Sequence, residues 1–231
     1  MSEQTLMLRD IDALPSWLRP LARAASDVDA DTLSARAPTP PAGARPSAVL
    51  MLFGEGTHGP DLLLTERAHT MRSHAGQIAF PGGAADPGDA GPADTALREA
   101  REEVGVEAAG VDVFGRLPAL WLPPSNAVTT ILGWWREPCP IDRLEPAEVE
   151  SAFRTPIAEL VDPVNRFSVR HPSGWVGPAF TVSDGLMLWG FTAGIVSRLF
   201  EHAGWEREWD RSRVVTLPDR ALPDQPLPDE R

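Results

Sequence analysis

The chain of 231 residues contains 33 acidic residues and 21 lysines and arginines, which gives a formal net charge of −12 at pH 7. This negative balance argues against broad binding to nucleic acid or to an anionic membrane. A single cysteine, Cys139, excludes an intramolecular disulfide. Because the N-terminus also lacks a signal pattern and no apolar run is long enough to span a bilayer, we expect a cytoplasmic protein.

In chain order, the composition predicts four parts. Residues 1–34 are expected to form a helical extension, and residues 35–46 a linker rich in Pro and Ala. Residues 47–204 are expected to form the main domain, and residues 205–231 a polar, Pro-rich tail that is partly disordered. The length and the 42% apolar content suffice for one domain with a real core.

Within the main domain, short apolar runs predict strands at residues 47–53, 61–65, 77–80, 111–117, 127–135 and 186–189. A helix follows the third strand, with Asp94 as its N-cap and Gly105 as its stop. A short helical pattern lies within residues 145–160, and a longer helix is expected over residues 190–202. This order of strands and helices favours an α/β/α sandwich.

The predicted helix before Gly105 carries an acidic cluster. Glu99 and Glu103 lie on one helical face, with Glu102 at its edge, while the opposite side shows an apolar stripe that can dock on a core. Three like charges so close together destabilise an isolated helix, and a divalent cation would remove that penalty. The alternative is a solvated acidic face in which Arg98 pairs with Glu102, four residues further on.

Residues 98–106 fit the pattern R-E-U-x-E-E-x-G-U, where U is apolar, and at this point the chain resembles the Nudix hydrolase family. The resemblance implies a Nudix-type α/β/α sandwich with a mixed central sheet and the catalytic helix on one side. It also implies that Glu99 and Glu103 are the primary ligands of Mg²⁺ or Mn²⁺, with Glu102 joining the metal shell directly or through water. Arg98 would orient the cluster by pairing with a glutamate.

The first half of the family motif departs from the usual pattern. With one inserted residue, Gly83 takes the place of its leading glycine and Asp89 stands where a glutamate is usual. The insertion falls in the loop of residues 86–92, where turn-forming residues predominate and an extra residue adds little to the entropic cost of loop closure.

A second motif lies directly upstream. Residues 63–83 fill every fixed position of LLTxR[S/A]xxxRxxxGxxxFPGG, and this resembles the coenzyme A diphosphatase branch of the Nudix family. The resemblance implies that Arg67, Arg72, Gly82 and Gly83 bind substrate. Arginine suits this task, because coenzyme A carries a diphosphate and a 3′-phosphate.

The branch resemblance implies metal-dependent hydrolysis of coenzyme A, or a derivative, to 3′,5′-ADP and 4′-phosphopantetheine or its acyl form. Ala147-Glu148-Val149 resembles the branch's downstream acid–Val pair, which makes Glu148 the candidate general base, with Glu145 and Glu150 as competitors. The alternative for Glu148 is a glutamate in the first turn of a surface helix.

Two other functions remain open from the sequence. One is a Nudix hydrolase acting on another nucleotide, such as ADP-ribose, a dinucleoside polyphosphate or a nucleoside triphosphate. The other is a non-catalytic nucleotide-binding module on the same scaffold. The sequence does not choose between free, acylated and oxidised coenzyme A, nor between Mg²⁺ and Mn²⁺, nor between a monomer and a homodimer.

Overall fold

The computed structural model describes residues 10–33, 39–71, 74–122 and 126–217. Its N-terminal segment forms a 3-10 helix (Ile11–Ala13), helix α1 (Arg19–Asp27) and a short helix α2 (Ala30–Leu33). Helix α1 has a proline in its first turn, where the missing N–H costs nothing. Its buried residues Leu21, Ala22, Ala24 and Ala25 form one face, so the expected helix is present and amphipathic.

Across the described ranges, the main sheet has eight strands. They are β1 (Arg45–Gly56), β2 (Gly59–Arg67), β3 (Ile78–Ala79), β4 (Gly82–Ala84), β5 (Val111–Arg116), β6 (Leu120–Leu122), β7 (Asn126–Trp135) and β8 (Val149–Pro156). The order is β3-β2-β1-β7-β5, with β8 paired to β2, β4 to β1 and β6 to β7. Strands β1 and β7 are parallel and the other pairs are antiparallel, so the sheet is mixed.

Helices cover both faces of this sheet, which explains why β1 is apolar without alternation: Leu50, Met51, Leu52 and Phe53 are all fully buried. Helix α3 (Pro92–Val104) packs its apolar stripe on one face, with Leu50, Leu63 and Ile131 in the same core. Helix α1 and helix α5 (Gly190–His202) share the core on the other face. The predicted α/β/α sandwich with a mixed sheet is confirmed.

A second, four-stranded sheet follows a short helix α4 (Ile157–Leu160). It consists of β9 (Arg166–Arg170), β10 (Val176–Val182), β11 (Leu186–Leu188) and β12 (Val214–Thr216), in the order β11-β10-β9-β12. Residues 205–217, which the sequence assigns to the tail, therefore contribute a strand, and Leu217 is buried. The remainder of that tail, residues 218–231, lies outside the described residues.

A buried arginine attaches the C-terminal segment to the second sheet. Arg166 is 1% exposed, and its guanidinium lies between the rings of Phe180 and Trp209 at 4.7 and 4.8 Å from their centroids. It forms an ion pair with Glu206 at 2.9 Å and donates a hydrogen bond to Ser197 Oγ at 2.8 Å. Helix α5, β9 and residues 206–209 thus meet at one charged centre.

One local prediction is wrong. Gly91, not Asp94, precedes the first turn of α3, and Asp94 instead accepts a hydrogen bond from the N–H of Ala90 at 3.0 Å from within that turn. The short helical pattern predicted within residues 145–160 corresponds to helix α4 (Ile157–Leu160), and Val149–Pro156 in the same range form strand β8, which pairs with β2. Gly105 ends α3 in the left-handed region (φ 74°), as predicted.

Among the described residues, no helix is both long and apolar enough to cross a membrane.

Candidate active site

Glu103 lies against the short strand β4, which the chain forms just before α3. Gly82 pairs with Val49 of β1 and donates its backbone N–H to Glu103 Oε2 at 2.9 Å. A Cβ on Gly82 would lie 2.4 Å from the Ala48 carbonyl oxygen and 2.6 Å from Val49 Cα. Only glycine therefore lets β4 approach β1 closely enough to fix this buried carboxylate.

Three carboxylates converge at this point. Glu99, Glu103 and Glu148 each offer one oxygen, and these oxygens all lie within 4.8 Å of one another. Glu103 is 3% exposed, Glu99 is partly buried and Glu148 is exposed, so the cluster runs from the core to solvent. An all-oxygen set of this kind is the donor chemistry preferred by hard divalent cations.

The backbone explains how Glu148 reaches a helix that ended more than forty residues earlier. The N–H of Glu145 donates to the Glu103 carbonyl oxygen at 3.0 Å, and the N–H of Glu148 donates to that of Glu145 at 3.0 Å. The Glu148 carbonyl oxygen accepts from the N–H of Ala68 at 2.9 Å, just before β8 pairs with β2. Glu148 thus lies in a turn leading into a strand, and the alternative of a first helical turn is wrong.

The carboxylates lack sufficient compensating positive charge. Burial raises the pKa of Glu103 to about 8, although the Gly82 N–H and Arg67 act in the opposite direction. Burial also raises the pKa of Glu99, and the charges of Glu102 and Glu148 add to that effect. A bound divalent cation would supply the missing charge, so the donor set and its electrostatics both fit a metal site.

Arg98 forms hydrogen bonds with the carboxylates on the solvent side of the cluster. Its Nη1 donates to Glu99 Oε1 and to Glu102 Oε2, each at 3.0 Å, and its Nη2 donates to the Ala84 carbonyl oxygen at 2.9 Å. Its Nε and Nη2 also bind both oxygens of Asp89, each at 3.0 Å. The Arg98 side chain therefore connects α3, β4 and the loop before α3.

Asp89 holds Arg98 in place, a contact that the sequence did not reveal. Besides Arg98, its carboxylate accepts hydrogen bonds from Thr95 Oγ1 at 2.8 Å and from the N–H of Asp86 at 2.9 Å. The Arg98 guanidinium holds the pKa of Asp89 well below its usual range. Its place in the motif, where an acid is usual, was the available signal, but only the structure shows that this acid binds Arg98.

Glu102 stands apart from the converging carboxylates. Its side chain is 59% exposed and accepts from Arg98, the i,i+4 pair that the sequence offered as an alternative. Among the described residues, the set whose oxygens lie within 4.8 Å consists of Glu99, Glu103 and Glu148. Of the competitors, Glu145 directs Oε1 to the N–H of Ala147 at 3.2 Å, and Glu150 is exposed on β8.

The upstream motif also reaches this site. A Cβ on Gly83 would lie 2.5 Å from Glu99 Oε2, so the absence of a side chain there makes room for the carboxylate. Arg67, the last residue of β2, interacts electrostatically with Glu103, and its buried Nε has no hydrogen-bond partner among the described residues. Arg72, the fourth residue assigned to substrate binding, lies outside the described residues.

Several known proteins are similar to this chain. The NUDIX domain family matches residues 43–173. A protein of Yersinia enterocolitica named uncharacterized Nudix hydrolase NudL is 39% identical over 142 residues, which covers 61% of this chain and 72% of that protein. The protein of the same name from Escherichia coli K12 is 38% identical over 146 residues, covering 61% and 73%. The solved Nudix hydrolase RenU of M. Smegmatis is 19% identical, with a TM-score of 0.47 and coverage of 69% and 86%.

Nudix hydrolases generally use divalent metal ions, and the three converging carboxylates of this chain fit that requirement. Both the extent of the family match and the identity to the curated relatives point to one assignment. The chain belongs to the Nudix family of hydrolases, which cleave phosphorus anhydrides in nucleoside diphosphate derivatives.

Proposed function

We propose that this Nudix hydrolase cleaves the diphosphate bond of coenzyme A or a derivative of it, releasing 3′,5′-ADP and 4′-phosphopantetheine or its acyl form. The observation that carries the proposal is the upstream motif of residues 63–83. The Nε of its Arg67 is buried without a hydrogen-bond partner in the described part of the chain, and Arg67 interacts with Glu103, so a cationic donor is available next to the carboxylate cluster. An anionic diphosphate is the complementary ligand for such a donor.

In this proposal Glu99 and Glu103 hold a divalent cation, Mg²⁺ or Mn²⁺. Glu102, at the exposed edge of the cluster, joins the metal shell directly or through water. When bound, such an ion withdraws charge from phosphoryl oxygens and lowers the pKa of a water molecule. The rest of the work falls to side chains of the chain itself. Gly82 and Arg98 hold the two ligand carboxylates in place through the hydrogen bonds to Glu103 and Glu99.

Two further residues are assigned to proton transfer and to substrate binding. Glu148, the exposed member of the cluster, is placed as general base and takes a proton from the attacking water at a carboxylate oxygen. The water oxygen forms a bond to one phosphorus while the bridging P–O bond breaks, and the leaving phosphate departs with that electron pair. Arg67 holds the diphosphate through its guanidinium, and the main chain at Gly82 and Gly83 lets the substrate approach closely.

The deciding experiment is product analysis by mass spectrometry. The purified chain is incubated with coenzyme A, ADP-ribose and dinucleoside polyphosphates, each with Mg²⁺ or Mn²⁺, and Glu103→Gln serves as the inactive control. Preferential release of 3′,5′-ADP and phosphopantetheine supports the proposal. Cleavage of another substrate alone would refute the specificity and retain the Nudix chemistry, whereas no turnover by folded protein with metal would favour the binding module.

Two variants test the residue roles. Arg67→Gln is expected to raise KM for coenzyme A about tenfold or more with a smaller effect on kcat, because a charge-assisted contact to phosphate is worth roughly 1.5–3 kcal/mol. Arg170→Gln, an exposed arginine on β9, is the matched control. Glu148→Gln is expected to lower kcat about 100-fold or more while metal affinity changes less. Equal losses of kcat and metal affinity would make Glu148 a ligand and not the base.

A further inference from the structure

A second cleft lies on the far side of the β1–β2 hairpin from the carboxylate cluster. It is open to solvent, with a volume of about 380 Å³, and its apolar walls include Trp17 from the N-terminal segment, Ile157 and Val161 at helix α4, and Trp205 after α5. We call it the Trp17–Trp205 cleft. Four separate parts of the chain line it, since His58 and Pro60 of the β1–β2 hairpin also contribute, so it exists only in the folded protein.

The cleft is distinct from the active site. Pro60 at the start of β2 lines the cleft, whereas Arg67 at the end of the same strand interacts with Glu103. Seven residue steps along a strand amount to about 23 Å. A molecule bound in the Trp17–Trp205 cleft therefore does not contact the carboxylates.

The aromatic walls are held in place before any ligand arrives. The ring of Trp17 packs edge-on against Trp134 at 5.8 Å between centroids and lies 6.1 Å from the ring of Trp205. Trp205 in turn contacts Phe200 at 5.1 Å and Phe53 at 6.3 Å. Preformed apolar walls lower the entropic cost of binding a flat apolar group.

Two ionisable side chains line the cleft. Arg207, at the exposed rim, forms no ion pair within the described part of the chain, and His58 is the other titratable group of the lining. Since the protein carries a net charge of −12, an arginine left unpaired beside an apolar cleft favours an anionic ligand.

We propose that the Trp17–Trp205 cleft is a second binding site, which takes a small organic anion with a flat apolar body and one carboxylate. The apolar body lies between the tryptophan and aliphatic walls, and the carboxylate faces Arg207. The volume falls in the range of small-molecule sites, which begins at about 300 Å³.

The test is a ligand-observed NMR titration of the full chain with 2-naphthoate and with its neutral analogue 2-naphthamide. The carboxylate is expected to bind at least tenfold more tightly than the amide, because the two differ in the charge that faces Arg207. Arg207→Gln is expected to weaken 2-naphthoate about tenfold and to leave 2-naphthamide unchanged. Arg23→Gln, an exposed arginine on α1 outside the cleft, is the matched control and changes neither.

A second pair of variants locates the bound molecule. Ala158→Trp places a large ring at an exposed position of the cleft wall and is expected to abolish binding of both probes without disturbing the core. Glu103→Gln in the carboxylate cluster is expected to change neither affinity.

Equal affinity for both probes, or an unchanged affinity in Arg207→Gln, overturns the assignment of an anion. Retained binding in Ala158→Trp places the molecule elsewhere and overturns the site, as does the absence of binding at millimolar concentrations. Binding that requires removal of residues 218–231 overturns it as well, because the chain's own tail is then the occupant.

Discussion

Gly83→Ala tests whether the position of the Glu99 carboxylate controls the reaction. The new Cβ would lie 2.5 Å from Glu99 Oε2 and 2.6 Å from Glu99 Cδ, whereas ordinary van der Waals contact begins at 3.4 Å. The carboxylate must therefore move by about 1 Å, and a displacement of that size within a catalytic site costs about 100-fold in rate. We expect kcat/KM to fall about 100-fold, which corresponds to about 2.7 kcal/mol of transition-state stabilisation.

The fold should survive this substitution, because the atoms in the way belong to the end of a flexible side chain. We expect the free energy of unfolding to change by less than about 1 kcal/mol, since alanine also reduces the entropy of the unfolded chain. Gly82→Ala makes the contrast: its Cβ would meet the backbone of Ala48 and Val49, so this variant should lose stability as well as activity. Gly88→Ala in the loop before α3 has nothing within 4 Å of the new Cβ and is the matched control.

The measurements are steady-state kinetics with coenzyme A and Mg²⁺, calorimetric titration of the metal, and urea unfolding. The reasoning is refuted if Gly83→Ala retains the kcat/KM of the parent, because Glu99 would then tolerate displacement. It is also refuted if the variant loses stability to the same extent as Gly82→Ala, since the loss of rate would then come from the fold.

Three further predictions concern stability and pH. Asp89→Asn breaks the bidentate contact to Arg98 and should lower the free energy of unfolding by about 2 kcal/mol, measured in urea at pH 7. Because the pKa of Asp89 is lowered in the folded state, the difference in unfolding free energy between variant and parent should shrink as the pH falls below about 4. Burial raises the pKa of Glu103 from 4.5 to about 8, so the folded metal-free protein holds a proton that the unfolded chain releases, and its unfolding free energy should fall as pH rises through this window, by at most about 1.4 kcal/mol per unit. Glu103→Gln should remove that slope, and an equal slope in both proteins would contradict the assignment. Arg166→Met removes the ion pair with Glu206, which keeps Arg211 and the Trp209 indole as partners, and should lower the unfolding free energy by about 2 kcal/mol, whereas a change below about 1 kcal/mol would show that stacking and the ion pair contribute little.

The helices and strands that form the layers of the fold could be predicted because each is indicated by a pattern of neighbouring residues. The apolar stripe on α3, the glycine after it and the short apolar runs of β1, β2 and β7 each reflect burial within a few residues. Apart from β11, which the apolar run at residues 186–189 predicts, the strands of the second sheet could not be predicted in the same way. Strand β10 is interrupted by Pro178, and β9 begins at Arg166, a charged residue that the fold buries by pairing it with Glu206.

The site divides along similar lines. Glu99 and Glu103 could be predicted because they share one helix, and helical geometry alone places them together. The contribution of Glu148 depends on the pairing of β8 with β2 and could be proposed only from resemblance to a family. The exposed position of Glu102 matches the i,i+4 pairing with Arg98, which the sequence offered as the alternative to a place in the metal shell.

The core beneath α1 and α5 limits how this enzyme can be divided. The family match ends at residue 173, yet Leu14, Leu18 and Leu21 before it and Leu199 and Phe200 after it share one apolar cluster with Phe53 and Leu62 of the sheet. A fragment trimmed to the matched residues would expose that face of the sheet to water and would aggregate before it could turn over substrate. The segments before and after the matched residues therefore have to be kept together with the catalytic part. A chimera with another Nudix protein would need all three segments from the same parent.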